Sequence, residues 1–408
     1  MDKILRGGLL LTMSNMGIRF LGYFYRILMG RFLAPSEFGL LNLALPLQYL
    51  IVLLASTGIA PSVARFVAKE RRKGLVSSCL VYYGLAGAAM GAVFYLAAEA
   101  VATKVYGNPD LTELIKISSL AFPLGAVTAS LTGAFQGYKM FGFMAWTLLV
   151  QQAMRILFAL ALVFMGMGAV GAIMGSTLGF LAAIPLALVF LKRLSVGKYS
   201  VKFREFKKVF LFSLPISTTS MATFALAYAD ILLIGYYLSP FDVGVYSAAS
   251  PTSRLILAFT SALYAVLLPS ISELKAERSV PEVRAHLQRT YLLSAGGLIP
   301  VVLLSILFAE DIISLLFPGE GYAGAVEPFK VLLVGSTFLG IFTINSAVFQ
   351  GVGHPGTPMK IMAAAAVADV ILNVILIPAM GIMGAAYATS LSFALAGVSS
   401  TLLLRKYL

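Results

Sequence analysis

Residues 7–32 read GGLLLTMSNMGIRFLGYFYRILMGRF, an apolar stretch long enough to cross a lipid bilayer. Two arginines interrupt this stretch. Arg19 and Arg26 are seven residues apart, so on a helix they lie on nearly the same face, about 10 Å apart along the axis. Tyr23 lies between them on that face. Charged side chains inside a bilayer are costly and usually face a bundle interior or a watery path. The stretch therefore predicts a membrane helix that borders a polar route.

The composition of the whole chain agrees with a membrane protein. Of its 408 residues, 60% are hydrophobic and only 12% are charged, and the mean hydropathy is +0.93. Soluble domains carry about 25% charged residues, so we expect a chain that crosses the membrane many times. The single cysteine, Cys79, excludes a disulfide within the chain, and two histidines provide no His–Cys metal pattern. No signal-peptide cleavage pattern follows the N-terminus, and we expect the first helix to remain as a span.

Twelve segments of about 20 apolar residues predict twelve transmembrane helices. Short connections at Gly168 and Gly381 predict tight hairpins between helices 5 and 6 and between helices 11 and 12. The external segment 310–328 is predicted to contain a short interfacial helix with a turn. The predicted spans are residues 7–32, 38–64, 75–103, 112–135, 143–166, 171–191, 209–238, 243–270, 290–309, 329–350, 361–378 and 383–404.

Lysine and arginine are concentrated in alternate loops. If the N-terminus is cytoplasmic, most of the 30 basic residues fall on the cytoplasmic side. The external segments then hold Arg31 and Lys104 and are otherwise acidic. This bias predicts a multi-pass protein of the cytoplasmic membrane with both termini in the cytoplasm. The net charge of +13 is explained by short loops that meet anionic headgroups, so we expect no nucleic-acid partner.

Four short matches in the same order indicate that the second half of the chain repeats the first. An even number of six helices in each half gives both copies the same orientation, which is a parallel repeat about an axis along the membrane normal. The predicted domains are an N-terminal six-helix bundle (1–191), a basic cytoplasmic linker (192–208) and a C-terminal six-helix bundle (209–408). The matches are GRFLAPSEFG (30–39) with GYYLSPFDVG (235–244), Pro61-Ser62 with Pro269-Ser270, AFQG (134–137) with VFQG (348–351), and GAVGA (168–172) with GIMGA (381–385).

Six ionisable residues lie well inside the predicted spans, and four of them are arginines. Asp369 lies as far after Arg155 as VFQG lies after AFQG, so the two residues hold equivalent positions. The distance along the chain from Tyr25 to Asp230 equals the distance from GRFLAPSEFG to GYYLSPFDVG. Asp230 is therefore equivalent to Tyr25 and lies one residue from the position equivalent to Arg26. If the halves face each other across a cavity, each aspartate is predicted to approach the arginine at its depth. The alternative is that each arginine pairs with carbonyl groups or an aspartate and only holds helices together.

Two such pairs would leave Arg19 and Arg254 as a surplus of two positive charges. A phosphate or diphosphate ligand suits that surplus, because arginine binds it through a fork of N–H groups. Asn373 follows Asp369 by four residues and shares its helix face. The predicted substrate-binding residues are Arg19, Tyr23, Arg26, Arg155 and Arg254, and the predicted gating or ion-coupling residues are Asp230, Asp369 and Asn373.

Enzyme chemistry is not expected from this sequence. It contains no G-x-x-x-x-G-K-[ST] phosphate loop, and both histidines lie in or beside predicted cytoplasmic loops. No carboxylate pair or nucleophile elbow stands out, and a membrane-embedded transferase is the alternative. We therefore expect no catalytic residue, no metal site and no cofactor other than a coupling H⁺ or Na⁺.

The chain resembles the polysaccharide-biosynthesis flippases, or Wzx-type oligosaccharide translocases, over essentially its whole length. The resemblance rests on the two six-helix halves, SNMGIRFLGYFYR (14–26), the turn LAPSEFGLLNLA (33–44) and AFQG after helix 4. The superfamily also contains multidrug and toxin extrusion transporters and lipid II flippases. The resemblance implies an all-α polytopic protein with about twelve transmembrane helices in two pseudo-symmetric six-helix bundles around a central cavity that works by alternating access.

The resemblance also implies the cargo, which is an oligosaccharide on a polyprenyl phosphate or diphosphate that moves to the external leaflet for surface polysaccharide or glycan assembly. Such flippases carry arginines in helix 1, matched here by Arg19 and Arg26, and lipid II flippases carry one in helix 8, matched by Arg254. Lipid II flippases have fourteen spans, so the twelve spans here leave the place of the lipid tail open. The expected partners are the cargo, membrane lipids and other polysaccharide-assembly membrane proteins, and the chain is expected to be a monomer.

The alternative function is a cation-coupled multidrug exporter of the multidrug and toxin extrusion branch. In those exporters, acidic residues of the first bundle often carry the coupling ion. Predicted helices 1 to 6 of this chain contain no carboxylate at mid-membrane depth. A first half that is purely basic at depth suits an anionic cargo and repels a cationic drug. A scaffold that transports nothing is the third reading, and it would leave the intramembrane arginines without a role.

Overall fold

The computed structural model describes residues 3–56, 58–70, 73–193, 200–276 and 280–406, and these residues form helices and connecting turns without a β-strand. Linker residues 194–199 lie outside the described residues. The chain divides into two compact units, Met1–Phe224 and Ala225–Leu408. The division falls inside one long helix, so the first unit includes the beginning of the seventh predicted span.

Eight α-helices precede the linker. A π-helical turn, Val101–Val105, extends the fourth helix, and another, Val163–Met167, extends the seventh. The helices are α1 Lys3–Phe32, α2 Pro35–Ser56, α3 Ile59–Glu70, α4 Lys73–Ala100, α5 Leu111–Ser119, α6 Ala121–Gly137, α7 Phe141–Leu162 and α8 Gly168–Arg193.

Eight more α-helices follow the linker. A 3₁₀ turn, Arg254–Ile256, separates the tenth and eleventh helices, and Glu320–Ala325 forms a second 3₁₀ turn before the fourteenth. The helices are α9 Phe203–Tyr237, α10 Pro240–Ser253, α11 Leu257–Ala276, α12 Val280–Leu307, α13 Ala309–Leu316, α14 Val326–Gly351, α15 Gly356–Met380 and α16 Ile382–Leu404.

All twelve predicted spans coincide with one helix or with two consecutive helices, which confirms the predicted helical membrane architecture. Among the described residues, seven helical stretches qualify as spans by length and composition alone, and one of them, Phe141–Arg193, contains both α7 and α8. The second, fourth and eighth spans are each broken into two helices. In the fourth, Pro123 has no N–H to donate to the carbonyl of Ser119, where α5 ends.

Tight connections join α7 to α8 and α15 to α16, as predicted. Gly168 and Gly381 take the positive φ angles of 50° and 61° that these turns require and that glycine adopts without a steric penalty. The external segment begins with a short helix, as predicted, and its interfacial position stays a prediction. This helix is α13, and after it the ring of Phe317 packs against Tyr322 with 5.6 Å between the centroids.

The start of α9 packs against α4 in the first unit. The ring of Phe206 lies 4.9 Å from that of Tyr83 and 5.2 Å from that of Tyr82, measured between centroids. The backbone N–H of Lys202 donates a hydrogen bond of 2.8 Å to the hydroxyl of Ser78. Aromatic packing and a side-chain hydrogen bond therefore fix the entry to α9 on the first unit.

Candidate functional site

The arginine face of α1 points away from the core of its own unit. Arg19 is exposed, whereas Tyr23 and Arg26 are half-buried. The buried face of the same helix carries Tyr25 and Met29, which are 1% and 0% exposed. Because α1 is continuous from Lys3 to Phe32, its two arginines keep the predicted helical spacing. The first unit therefore displays two cations and a tyrosine on one side of its first helix.

A second group of residues in the first unit surrounds Arg155, and we name Tyr25, Tyr49 and Arg155 the tyrosine–arginine cluster. The Arg155 guanidinium donates a hydrogen bond of 2.8 Å from Nη1 to the hydroxyl of Tyr49. Its Cζ lies 4.0 Å from the centroid of the Tyr25 ring, in a cation–π contact. The Tyr25 hydroxyl donates to the carbonyl of Ala172 at 3.1 Å. The guanidinium therefore joins α1, α2 and α7, and Tyr25 adds a tie to α8.

The second unit contains an ion pair at the corresponding level of its fold. Arg254 Nη2 lies 3.4 Å from Asp230 Oδ2, and the same carboxylate oxygen accepts a hydrogen bond of 3.0 Å from the Tyr246 hydroxyl. The Asp230 side chain is 2% exposed and that of Arg254 is 26% exposed. The Arg254 guanidinium also lies 5.7 Å from the centroid of the Phe393 ring. In the described part of the chain, the other ion pair joins Lys330 and Glu327 near the start of α14.

Asp369 adds a second carboxylate to this region, and we name Asp230, Arg254 and Asp369 the acidic cluster. Asp369 is 2% exposed and lies within electrostatic range of the other two members. Asn373 is fully buried, and its side-chain amide donates to the Asp369 backbone carbonyl at 2.8 Å. Within the described structure, Asp369 Oδ1, Asn373 Oδ1 and Thr389 Oγ1 are buried without a hydrogen-bond partner. Two buried carboxylates therefore lie near one arginine, which pairs with Asp230, so the cluster carries one more carboxylate than guanidinium.

The structure gives two of these charges partners within their own halves. Asp230 pairs with Arg254. Arg155 donates a hydrogen bond to Tyr49 and stacks on Tyr25. Arg254 therefore has an acidic partner and is not a surplus charge. The predicted approach of Asp230 to Arg26 and of Asp369 to Arg155 between the two halves stays a prediction.

The sequence prediction missed Tyr49 and Thr389, although the repeat contains a signal for both. The match of GRFLAPSEFG with GYYLSPFDVG sets a constant offset between the halves. That offset takes the helix proline Pro46 to Pro251, and it takes Tyr49 to Arg254. The register of the two hairpin glycines pairs Ser176 with Thr389. Extending the four short matches along the helices would therefore have identified both positions.

Comparison with known proteins identifies the family. The family model described as "Polysaccharide biosynthesis protein" matches residues 4–275, which is about two thirds of the chain. The model described as MatE matches residues 215–375. The second match includes all three members of the acidic cluster.

Relatives and solved structures extend the match over the whole chain. An uncharacterised membrane protein of Methanocaldococcus jannaschii is 24% identical over 100% of both chains. The probable low-salt glycan biosynthesis flippase Agl15 of Haloferax volcanii is 25% identical over 50% of this chain and 43% of its own length. The lipid II flippase MurJ in an inward closed conformation has the same fold, with a TM-score of 0.80 at 16% identity over 97% of this chain and 87% of that one.

The helical architecture, the internal repeat and the family match agree with one another. The predicted absence of enzyme activity agrees with relatives that are transporters and flippases. The chain therefore belongs to the polysaccharide biosynthesis protein family and is a membrane transporter of the superfamily that contains Wzx-type flippases, lipid II flippases and multidrug and toxin extrusion transporters.

Proposed function

We propose that this protein flips an oligosaccharide linked to a polyprenyl phosphate or diphosphate from the cytoplasmic to the external leaflet. The observation that carries the proposal is the face of α1 that bears Arg19 and Arg26. Neither arginine forms an ion pair with a carboxylate within the described residues. An arginine without an acidic partner in a membrane helix is costly unless an anion meets it during function. The name of the Haloferax volcanii relative, a flippase of glycan biosynthesis, supports the same class of cargo.

The head group of the cargo would bind first at the arginine face. The guanidinium groups of Arg19 and Arg26 can each present a fork of N–H donors to phosphate oxygens. Tyr23, between them, is placed to contact phosphate or sugar. Arg155 and Arg254 were also predicted to bind cargo, and that role stays a prediction for both. Their guanidinium groups already contact Tyr49 and Asp230, respectively, so we assign the primary phosphate contact to α1.

Transport would be driven through the acidic cluster. The buried oxygens of Asp369 and Asn373 that lack a hydrogen-bond partner suit a proton or Na⁺, since hard cations prefer oxygen ligands. Uptake of one cation would neutralise Asp369. Arg254 would then interact with one ionised carboxylate, that of Asp230. We propose that this exchange accompanies alternating access, in a cytoplasmic membrane with both termini on the cytoplasmic side.

Reconstituted flipping tests the cargo assignment. Wild type, Arg19→Ala, Arg26→Ala and the control Arg204→Ala, which alters an exposed arginine at the start of α9, are placed in proteoliposomes with a fluorescent polyprenyl-diphosphate sugar. We expect the two α1 variants to lose at least tenfold in flipping rate and the control to match wild type. Wild type that ignores this lipid contradicts the proposal. Equal rates in all four proteins would exclude the arginine face as the phosphate site.

Thermal unfolding in detergent tests ion coupling without any cargo. NaCl should raise the unfolding midpoint of wild type above that in choline chloride, and Asp369→Asn should remove the difference. Asp311→Asn, on the exposed side of α13, is the matched control and should retain it. A midpoint of wild type that responds to pH but not to Na⁺ assigns the cluster to protons. A midpoint that responds to neither contradicts coupling through this cluster.

The exporter alternative keeps one specific observation in its favour, because the MatE model matches the segment that contains the acidic cluster. An exporter of cationic drugs would use the same carboxylates for its coupling ion. The proteoliposome assay separates the two functions when a cationic dye replaces the lipid. Dye transport that Asp369→Asn abolishes and Arg19→Ala leaves intact would favour the exporter.

A further inference from the structure

The tyrosine–arginine cluster of the first half and the acidic cluster of the second half occupy equivalent places. The register of the first sequence match pairs Tyr25 with Asp230, and the register of AFQG with VFQG pairs Arg155 with Asp369. In the first half Arg155 contacts Tyr25 through a cation–π interaction, and in the second half Asp230 and Asp369 are both buried and lie within electrostatic range of each other. One structural position therefore holds a fixed cation in the first half and acidic oxygens in the second.

The two places differ by two units of charge. Arg155 contributes +1, and no carboxylate pairs with it in the described residues. The acidic cluster contains two carboxylates and one guanidinium, which gives −1 when both aspartates are ionised. Asp369 Oδ1 of this cluster and Asn373 Oδ1 beside it have no hydrogen-bond partner in the described residues and are free to accept a proton or a cation. The first half already contains a guanidinium that contacts the Tyr25 ring and the Tyr49 hydroxyl.

We propose that Arg155 is a tethered cation and acts as a positioning residue. Its guanidinium occupies, in the first half, the place where the second half binds an exchangeable ion. Its charge holds α1, α2 and α7 together by attraction to one tyrosine ring and by a hydrogen bond to another tyrosine. On this proposal Arg155 does not bind cargo, in contrast to the role predicted from the sequence, and ions do not exchange there. The restriction of ion exchange to the second half rests on the proposed function, whereas the clamping role of Arg155 does not.

Guanidinium rescue tests the tethered cation directly. The full-length protein with Arg155→Ala should unfold at a lower temperature than wild type in detergent, because the Tyr25 and Tyr49 contacts are lost. Millimolar methylguanidinium should recover at least half of that loss, since it can occupy the vacated place. Urea has a similar planar shape without the charge and should recover none. Arg204→Ala should unfold like wild type under every condition.

Two variants of similar side-chain length separate charge from packing if the alanine variant fails to fold. Arg155→Lys keeps the cation and Arg155→Met does not, so the lysine protein should unfold at the higher temperature. Equal midpoints for the lysine and methionine variants would overturn the proposal. Equal rescue of Arg155→Ala by urea and methylguanidinium would do the same.

Kinetics distinguish a positioning role from a cargo contact. If the wild-type protein flips the polyprenyl-diphosphate sugar, the Arg155→Lys variant should have a lower maximal rate than wild type. Its half-saturating cargo concentration should equal that of wild type. An increase in that concentration with an unchanged maximal rate would place Arg155 in the cargo site and overturn the proposal. If wild type flips no such lipid, the cargo assignment fails, and the unfolding experiments still decide the role of Arg155.

Discussion

The two halves of this transporter place side chains of opposite charge at equivalent positions of the repeat. In the first half, Arg155 contacts two tyrosines and has no ion pair with a carboxylate within the described residues. In the second half, Asp230 and Asp369 occupy the places equivalent to Tyr25 and Arg155, and Asp230 pairs with Arg254. The comparison teaches that a repeat preserves where helices meet while the side chains at the meeting point are free to reverse their charge.

The largest effect is expected when Asp230 is changed to Asn. Arg254 then loses its carboxylate partner while remaining three-quarters buried, and removal of one partner of a buried pair costs about 3 kcal/mol, less where water reaches the charge. We expect a destabilisation of about 2 kcal/mol by reversible unfolding in detergent. The matched change in the first half is Tyr25→Phe, which removes the hydroxyl that donates to Ala172 and keeps the ring that contacts Arg155, and it should cost about 1 kcal/mol. Equal losses would show that the ion pair contributes no more than a neutral hydrogen bond.

Two equivalent glycines sharpen the comparison through packing. A methyl group on Gly384 would overlap the backbone carbonyl oxygen of Leu376, whereas one on Gly171 would lie 2.9 Å from Leu162 Cβ and 3.0 Å from the Leu162 carbonyl carbon. Overpacking costs about 1–3 kcal/mol, and backbone yields less than a side chain does. We expect Gly384→Ala to destabilise more than Gly171→Ala. Gly356→Ala, where no atom lies within 4 Å, is the control. The reverse order would mean that the α15–α16 hairpin adjusts more readily than α7–α8.

A smaller effect is expected from Tyr49→Phe in the tyrosine–arginine cluster. The change removes the hydroxyl that accepts from Arg155, and hydrogen bonds to charged groups contribute about 1.5 kcal/mol or somewhat more. Because Arg155 is only half-buried, water can replace part of that bond, and we expect about 1 kcal/mol in the free energy of unfolding. The counterpart is Tyr246→Phe, which removes a bond to the fully buried Asp230 and should cost more. An exposed tyrosine, Tyr236, provides the control substitution to Phe.

The smallest effect is expected from Lys330→Ala. Its ion pair with Glu327 is 2.8 Å long, but the Glu327 side chain is 66% exposed and solvent screens the attraction. Exposed pairs contribute about 0.5 kcal/mol or less, so the unfolding midpoint should hardly move. A loss comparable to that of Asp230→Asn would contradict the distinction between the buried and the exposed ion pair.

The helices were predictable because long apolar runs have one stable solution in a bilayer, which is a hydrogen-bonded helix. The breaks within the second, fourth and eighth spans were not, since hydropathy averaged over a whole span does not register a single proline such as Pro123. The sequence also predicted that Asp369 and Asn373 share a face, and both are buried there. It did not predict the partners of Asp230 and Arg155, because pairing across helices depends on their rotation and closeness. Tyr49 was missed because the first match was not extended along α2, where its register pairs Tyr49 with Arg254.

The packing of α9 has a consequence for how the protein is made. Residues Phe203–Phe224 belong to the first compact unit, although the repeat assigns this helix to the second half. Phe206 covers Tyr82 and Tyr83, so the first unit lacks part of its aromatic layer until the ribosome has passed the linker and the first turns of α9. A gene cut after Arg193 would yield a first fragment with that layer uncovered. A first fragment should therefore retain the whole of α9 and not end where the duplicated sequences meet, since a cut inside this helix would leave charged chain ends and unpaired backbone groups in the bilayer.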